Sequence, residues 1–424
     1  MPESLQSHVA SLPITDVHEH HMPEFVLNPD VGLLDLLCQS YAGWTRARPY
    51  PLPSEPPIPD SSGEESQETT WDSLQPFLRE SGSNAFVRNL VVSLAELYEL
   101  GEAAITEANW KHLDGAVRRA HADPDWRLEV IRRAKIETLI TDPFTQPLLD
   151  ARETFGDNYR SVLRINAFAF GWHPLARDHN GNSAHDLIRH SGLQVKTFDD
   201  YLTALEHFVD TLGEHHRVAL KNALAYDRSV DFDDVDEDLA RRAWGKEAPS
   251  PEERKAFGDV VVDRLCRLAG ERNVPVQVHL GTAVVRGSHP LGIAGLVERH
   301  PRTRFLLMHL AYPWSRDLLG MAFVYRNIWL DLTWSFLLSP SHFKLALHES
   351  IEVLPDESRM MLGGDNLHVE ETYGAMITAR RLIAEVLEEK VEAGYFGVED
   401  ARRLARKIFH ENGREFFGFD VPLH

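Results

Sequence analysis

Cysteine is nearly absent from this chain. Only Cys38 and Cys266 occur in 424 residues, which excludes a disulfide framework and any cysteine-based metal cluster. A metal, if one is held, must be bound by His, Asp or Glu. Basic residues are also scarce: 44 Lys and Arg face 65 Asp and Glu, a formal net charge of -21. No Lys/Arg cluster stands out, so a nucleic-acid partner is not expected. No apolar run reaches the roughly 18 residues a membrane span needs. The opening MPESLQSHVASLPITD has no basic stretch followed by an apolar core, so no signal peptide is expected and the cytoplasm is the default location. What remains, 43% hydrophobic and 26% charged residues, is the composition of a soluble globular protein.

Eight short apolar runs can each form a strand: 12–18, 136–142, 161–170, 218–226, 274–279, 304–309, 327–333 and 359–365. Most are nearly continuous, the texture of parallel strands buried on both faces. Helical patterns separate them, notably 255–272 before the fifth run and 369–390 after the eighth. Strand then helix, eight times, predicts an α/β fold, a (β/α)8 TIM barrel, over 1–424 as a single catalytic unit. The spacing breaks once, between the first and second strands, where 30–134 reads as an insertion. Its first part includes ARPYPLPSEPPIPDSSGEESQETT, a Pro, Ser and Glu rich stretch that predicts an extended loop. Its second part, 74–134, predicts helices. An insertion after the first strand falls on the C-terminal face of a barrel, where a lid over the active site is expected.

The chemistry begins with Asp16-Val-His-Glu-His-His21. Residues two apart on a strand share a side, so His18 and His20 can grip one ion. Alone the pair is weak, since 22 histidines in 424 residues give about one His-x-His by chance. Context adds weight. VPVQVHLG closes a strand at His279, RFLLMHLAYPW closes the next at His309, and MMLGGDNLH closes the last at Asp365. Buried strands have little reason to end in imidazole or carboxylate unless something there uses them. RVALKNALAYDR places Lys221 inside an apolar run, where a buried cation needs a partner or a modification. Plainer readings stand beside these: a solvated strand end for His18 and His20, a helix cap for Asp365, core imidazoles for His279 and His309, and an ion pair for Lys221. Trp172 and His173, Tyr226 and Arg228, Trp334, and His368 with Glu370 follow later strands and are candidates to face a substrate. Arg228 would suit an acidic group. Asp16, Glu19 and His21 are expected to orient the first-strand ligands.

With these residues in view, the chain resembles the amidohydrolase superfamily, in which the first strand supplies His-x-His, the fourth a lysine or glutamate, the fifth and sixth a histidine each, and the eighth an aspartate. His18, His20, Lys221, His279, His309 and Asp365 fill those slots. LKNALAYDR, LDLTWSFLLSP and GGDNLHVEETYGA are similar to the branch holding uronate-isomerase-like proteins and the amidohydrolase half of fungal glutamine-synthetase fusions. The resemblance implies a divalent metal, zinc first, with Mn, Fe or Ni also suited to these ligands. Two ion counts are implied. With two, a carboxylated Lys221 bridges one ion on His18, His20 and Asp365 and another on His279 and His309. With one, His18, His20, His279 and Asp365 hold it and His309 contacts the substrate. Uronate isomerases lack the fourth-strand lysine, which sets this chain apart from them.

The implied activity is hydrolysis of an amide, ester, lactone or ring C–N bond of a small molecule, with Asp365 as general acid/base beside His309. Two other functions stay open: decarboxylation or uronate-type isomerisation on the same scaffold, and a non-catalytic binding role. The expected partner is a small-molecule substrate, with no membrane and no nucleic acid; a homo-oligomer is allowed.

Overall fold

The computed structural model describes residues 4–46 and 68–419. All eight apolar runs overlap a strand: β1 Ile14–Glu19, β2 Ile136–Thr141, β3 Tyr159–Arg164, β4 Arg217–Asn222, β5 Val276–Val278, β6 Phe305–Leu307, β7 Ile328–Asp331 and β8 Met360–Met361. They lie in one eight-stranded sheet in chain order. The pairings β1·β2 and β3 through β7 are parallel. With helices between the strands this is the (β/α)8 barrel. Nearly every strand residue is buried, which is why the runs lack polar alternation.

The strands are shorter than their apolar runs, for a local reason. Run 161–170 stops being strand at Arg164, and Asn166–Ala169 forms a helical turn. Run 218–226 stops at Asn222, whose side-chain oxygen accepts from Leu224 N at 3.0 Å and starts the turn Leu224–Tyr226. Asparagine offers the backbone a hydrogen bond outside the ladder, and the strand ends there.

The chain divides into two compact units. The first comprises Met1–Thr141, Leu332–Glu349 and Met361–Gly413; the second comprises Asp142–Asp331, Ser350–Met360 and Arg414–His424. Within the first, the insertion between β1 and β2 is helical, with Leu33–Gln39, Ala85–Leu97, Trp110–His121 and Trp126–Arg133 as its main helices. Residues 47–67, most of the Pro-rich stretch, lie outside the described residues. The insertion has a core of its own, including Val31, Leu34, Leu37, Leu90, Leu94, Leu113 and Val117. Its Ala85–Leu97 helix packs on Val369–Glu392, the long helix after β8. Gly374 permits that approach, because a Cβ there would lie 2.8 Å from Ser93 Cβ. The second unit carries β3 to β7 and the helix Pro251–Glu271, which opens with a capping box between Ser250 and Glu253.

Leu113 is fully buried in the insertion core. Leu113→Ala should destabilise the protein by about 2–5 kcal/mol, read by urea unfolding. A cost under about 0.5 kcal/mol would mean the insertion does not fold cooperatively with the unit that carries it.

Candidate metal centre and substrate site

In the first unit the ends of β1 and β8 are stitched together by buried carboxylates. Asp16 Oδ1 accepts from His18 N and from Gly364 N, each at 3.2 Å. Glu19 accepts from Asn366 N, and Asp365 N donates to His18 O at 2.8 Å. His20 N donates to Asn366 O at 2.8 Å. Gly363 and Gly364 make the approach possible: a Cβ on Gly363 would lie 2.5 Å from His18 N, and one on Gly364 2.0 Å from Glu19 Oε1. Asp365 takes φ 65°, a region that non-glycine residues occupy rarely and aspartate more readily than most.

The outcome is that Asp365 Oδ1 faces both imidazoles, 3.4 Å from His18 Nε2 and 3.0 Å from His20 Nε2. All three side chains are buried or nearly so. Two imidazole nitrogens and a carboxylate oxygen converging in this way are a donor set that fits a divalent first-row metal. Asp16 and Glu19 hold the backbone that presents these ligands, as expected of orienting partners. His21 turns away and meets Thr372 Oγ1 through Nε2 at 2.9 Å.

A second set assembles within the second unit. Lys221 is 1% exposed in β4, with Nζ 2.6 Å from Met308 Sδ. His279 follows β5 and His309 follows β6, and His309 Nε2 lies 3.0 Å from His279 Nδ1. His279 Nε2 is 3.1 Å from Thr282 O, so a proton on Nε2 leaves Nδ1 as the lone-pair nitrogen. Burial, with His309 and Lys221 adding to it, holds the His279 imidazole well below its ordinary pKa. A neutral ring is what a metal ligand requires. Three consecutive non-glycine residues after β6, His309, Leu310 and Ala311, have positive φ.

The remaining candidates separate. The Tyr226 ring lies 4.5 Å from the His279 ring, tilted by 47°. Trp172 is buried against Phe170 and Phe257. The Arg228 guanidinium is occupied by protein acceptors: Asp259 Oδ1 at 2.6 Å and the carbonyls of Ser229, Lys255 and Asp231. Trp334 is 1% exposed and packs on Tyr41, Trp44 and Phe86 of the insertion. His368 is fully buried, its ring edge-on to Phe25, and burial pushes its pKa down to about 4.

Two features escaped the sequence reading. One is Asp142, a buried carboxylate that follows β2. It closes an apolar run as His279 and Asp365 do, so the same signal could have found it. Arg164 binds its Oδ2 at 2.6 Å and balances its charge. The other is the setting of Glu370. Its Oε1 accepts from Tyr98 Oη at 2.8 Å, Trp126 Nε1 at 2.9 Å and His121 Nε2 at 3.0 Å, all from the insertion. Burial raises the Glu370 pKa, but the His121 charge and these hydrogen bonds outweigh it and bring it down to about 2. Burial lowers His121 in turn, and Glu370 outweighs that, raising it above 6.5.

Two predictions follow from this geometry. Gly363→Ala forces β8 away from His18, so metal content by elemental analysis should fall while far-UV circular dichroism is kept; full metal loading would refute the close-packed stitch. Glu370→Gln removes one partner of a buried ion pair and should cost about 3–5 kcal/mol. Because the Glu370 pKa is depressed, its contribution is present above about 4.5 and fades as pH falls towards about 2. Because that of His121 is raised, its contribution is complete below about 6.5 and fades as pH climbs through the raised value. The gap between wild type and Glu370→Gln in urea should therefore be widest between about pH 4.5 and 6.5, and a pH-independent gap would contradict the pairing.

Comparison with known proteins agrees with this picture. A sequence model of the amidohydrolase family matches residues 230–419. Protein fluG of Emericella nidulans is 26% identical over 227 residues, 48% of this chain but only 26% of that protein, so the chain matches about a quarter of that relative's length. Among solved structures, a uronate isomerase from Thermotoga maritima matches with TM-score 0.74 at 17% identity, covering 97% of this chain and 96% of its own. A glucuronate isomerase from Caulobacter crescentus matches with TM-score 0.76 at 16% identity, covering 99% of this chain and 94% of its own. At those identities the structures speak for the fold. The chain carries a match to the amidohydrolase family over residues 230–419 and shares the fold of the uronate isomerases.

Proposed function

We propose that the protein is a metal-dependent hydrolase acting on an amide, ester, lactone or ring C–N bond of a small molecule. The observation that carries this reading is the convergence of His18 Nε2, His20 Nε2 and Asp365 Oδ1 at the ends of β1 and β8. His18, His20, His279 and Asp365 are the proposed metal ligands, with Lys221 and His309 joining them if two ions are held. Zinc is the first candidate ion. When bound, the ion supplies Lewis acidity, which polarises the scissile carbonyl and brings the attacking water within reach of a base at neutral pH.

The chain's own groups do the rest. Asp365 takes the proton of the attacking water. His309 and Tyr226 contact the substrate, and Trp172 and His368 line its surroundings. Arg228, Trp334 and Glu370 have structural duties in this reading, since their polar groups or rings are already engaged. The neutral His279 imidazole supports it, since a barrel retained only for binding has no need to hold such a group poised. Isomerisation of a sugar acid is the competing chemistry on this scaffold.

The test is turnover in oxygen-18 water by zinc-loaded protein, over a panel of N-acyl amino acids, dipeptides, lactones and uronic acids. Hydrolysis predicts one solvent oxygen in the product, and isomerised uronate without label would overturn the proposal. Replacing both His18 and His20 by alanine should abolish metal content and turnover together while leaving the circular dichroism spectrum intact. Unchanged metal content would remove the proposed ligands.

A further inference from the structure

Outside the proposed ligand set, one imidazole in the second unit is arranged for proton transfer. His179 lies in the segment after β3, and its ring Nδ1 sits 2.8 Å from Asp227 Oδ2. Its own backbone N donates to Asp227 Oδ1, also at 2.8 Å. Asn166 Nδ2 donates to Asp227 Oδ2 at 2.7 Å. Three N–H groups on one carboxylate fix the side chain in place. The turn that presents His179 is itself tied down: Asp178 Oδ1 accepts from Asn180 N and Asn182 N at 2.9 Å, and Asn182 Nδ2 donates to Phe144 O at 2.8 Å.

That arrangement sets the tautomer. Asp227 is an acceptor, so Nδ1 carries a proton, and Nε2 is left either as a lone pair or as the acidic N–H of an imidazolium. The His179 side chain is 12% exposed, enough for its edge to meet a small molecule. Its ring lies 5.3 Å from that of Tyr226, which also lies 4.5 Å from the His279 ring. His179 therefore stands one aromatic ring beyond a proposed metal ligand. An imidazole oriented by a carboxylate through one ring nitrogen, with part of its edge accessible, is the arrangement of a general acid/base.

We infer that His179, oriented by Asp227, is a catalytic acid/base residue that protonates the leaving group. The inference rests on the hydrolytic reading above. As the attacking water adds to the carbonyl carbon, its proton goes to Asp365. The C–N or C–O bond then breaks, and the departing nitrogen or oxygen takes the Nε2 proton of the His179 imidazolium. The ring is left neutral, with Nδ1–H still on Asp227. One proton leaves Asp365 to solvent and one returns to His179 from solvent, so the cycle closes without another reactant. Asp227 acts through His179 and is a positioning residue.

The experiment uses zinc-loaded full chain on the same panel, comparing wild type, His179→Gln, His179→Gly and Asp227→Asn, with metal content measured for each. His179→Gln should lower kcat at least about 100-fold, the usual scale for losing a general acid, with KM and zinc content little changed. Added imidazole should restore part of the rate of His179→Gly and none to wild type. Asp227→Asn should lower kcat in the same direction. Hydrolysis at the wild-type kcat by His179→Gln, or a loss confined to KM, would overturn the inference and leave the hydrolytic reading standing. Turnover of a uronic acid without label that still depends on His179 and is rescued by imidazole would overturn the hydrolytic reading and keep His179 as an acid/base. No turnover of any compound on the panel would overturn both.

Discussion

The constraint on which the rest depends is the burial of two carboxylates on one strand. Asp16 and Glu19 both have no exposure, and burial together with the neighbouring Asp16 pushes the Glu19 pKa well above the ordinary carboxylate range. Two such groups side by side hold a proton between them more readily than two charges. Backbone N–H groups make the arrangement tolerable, and the ones available belong to Gly364 and Asn366 of the loop after β8. Satisfying β1's acids thus requires β8 to close onto β1, and that closure delivers Asp365 to His18 and His20. Ligand geometry here is a by-product of satisfying buried polar atoms.

The same logic ties the insertion to the barrel's last helix. Glu370 begins Val369–Glu392 and is fully buried, and three donors from three insertion helices or their ends converge on one of its oxygens. Ser93 Oγ adds a bond to the Glu370 carbonyl. Apolar contact between Ala85–Leu97 and that helix gives adhesion without direction; the charged hub selects one register. An insertion held this way is fixed to that helix rather than attached as a loose flap.

The barrel was legible because parallel buried strands leave an unmistakable trace: eight apolar runs with helical patterns between them. The candidate ligands were legible for a related reason, since His279, His309 and Asp365 interrupt such runs where nothing apolar is gained. Asp142 carries the same mark and could have been read. The acceptors around Arg228 could not, because Asp259 lies 31 residues away and no local pattern announces a tertiary ion pair. Trp334 is similar: an aromatic after a strand suits a substrate or a core equally, and only Tyr41, Trp44 and Phe86 decide for packing. At β4 the strand end was overrun because Asn222 diverts the backbone by a side-chain hydrogen bond, which hydrophobic periodicity does not register.

Burial also sorts the histidines by chemistry. His279 and His368 lose their charge to desolvation, and His21 does so with help from Arg127. His121 is buried too, yet the Glu370 carboxylate raises it. The difference is a single carboxylate within hydrogen-bond reach. His279, without one, is a neutral lone-pair donor suited to a metal, while His121, with one, holds its proton and serves structure. A chain with 65 acidic residues has many ways to place a carboxylate beside a histidine. It has done so at His121, His179 and His300, while its buried acceptor for His279 is only a carbonyl oxygen. Choosing carbonyl over carboxylate there keeps the ring neutral, and that choice is what leaves His279 fit to bind a cation.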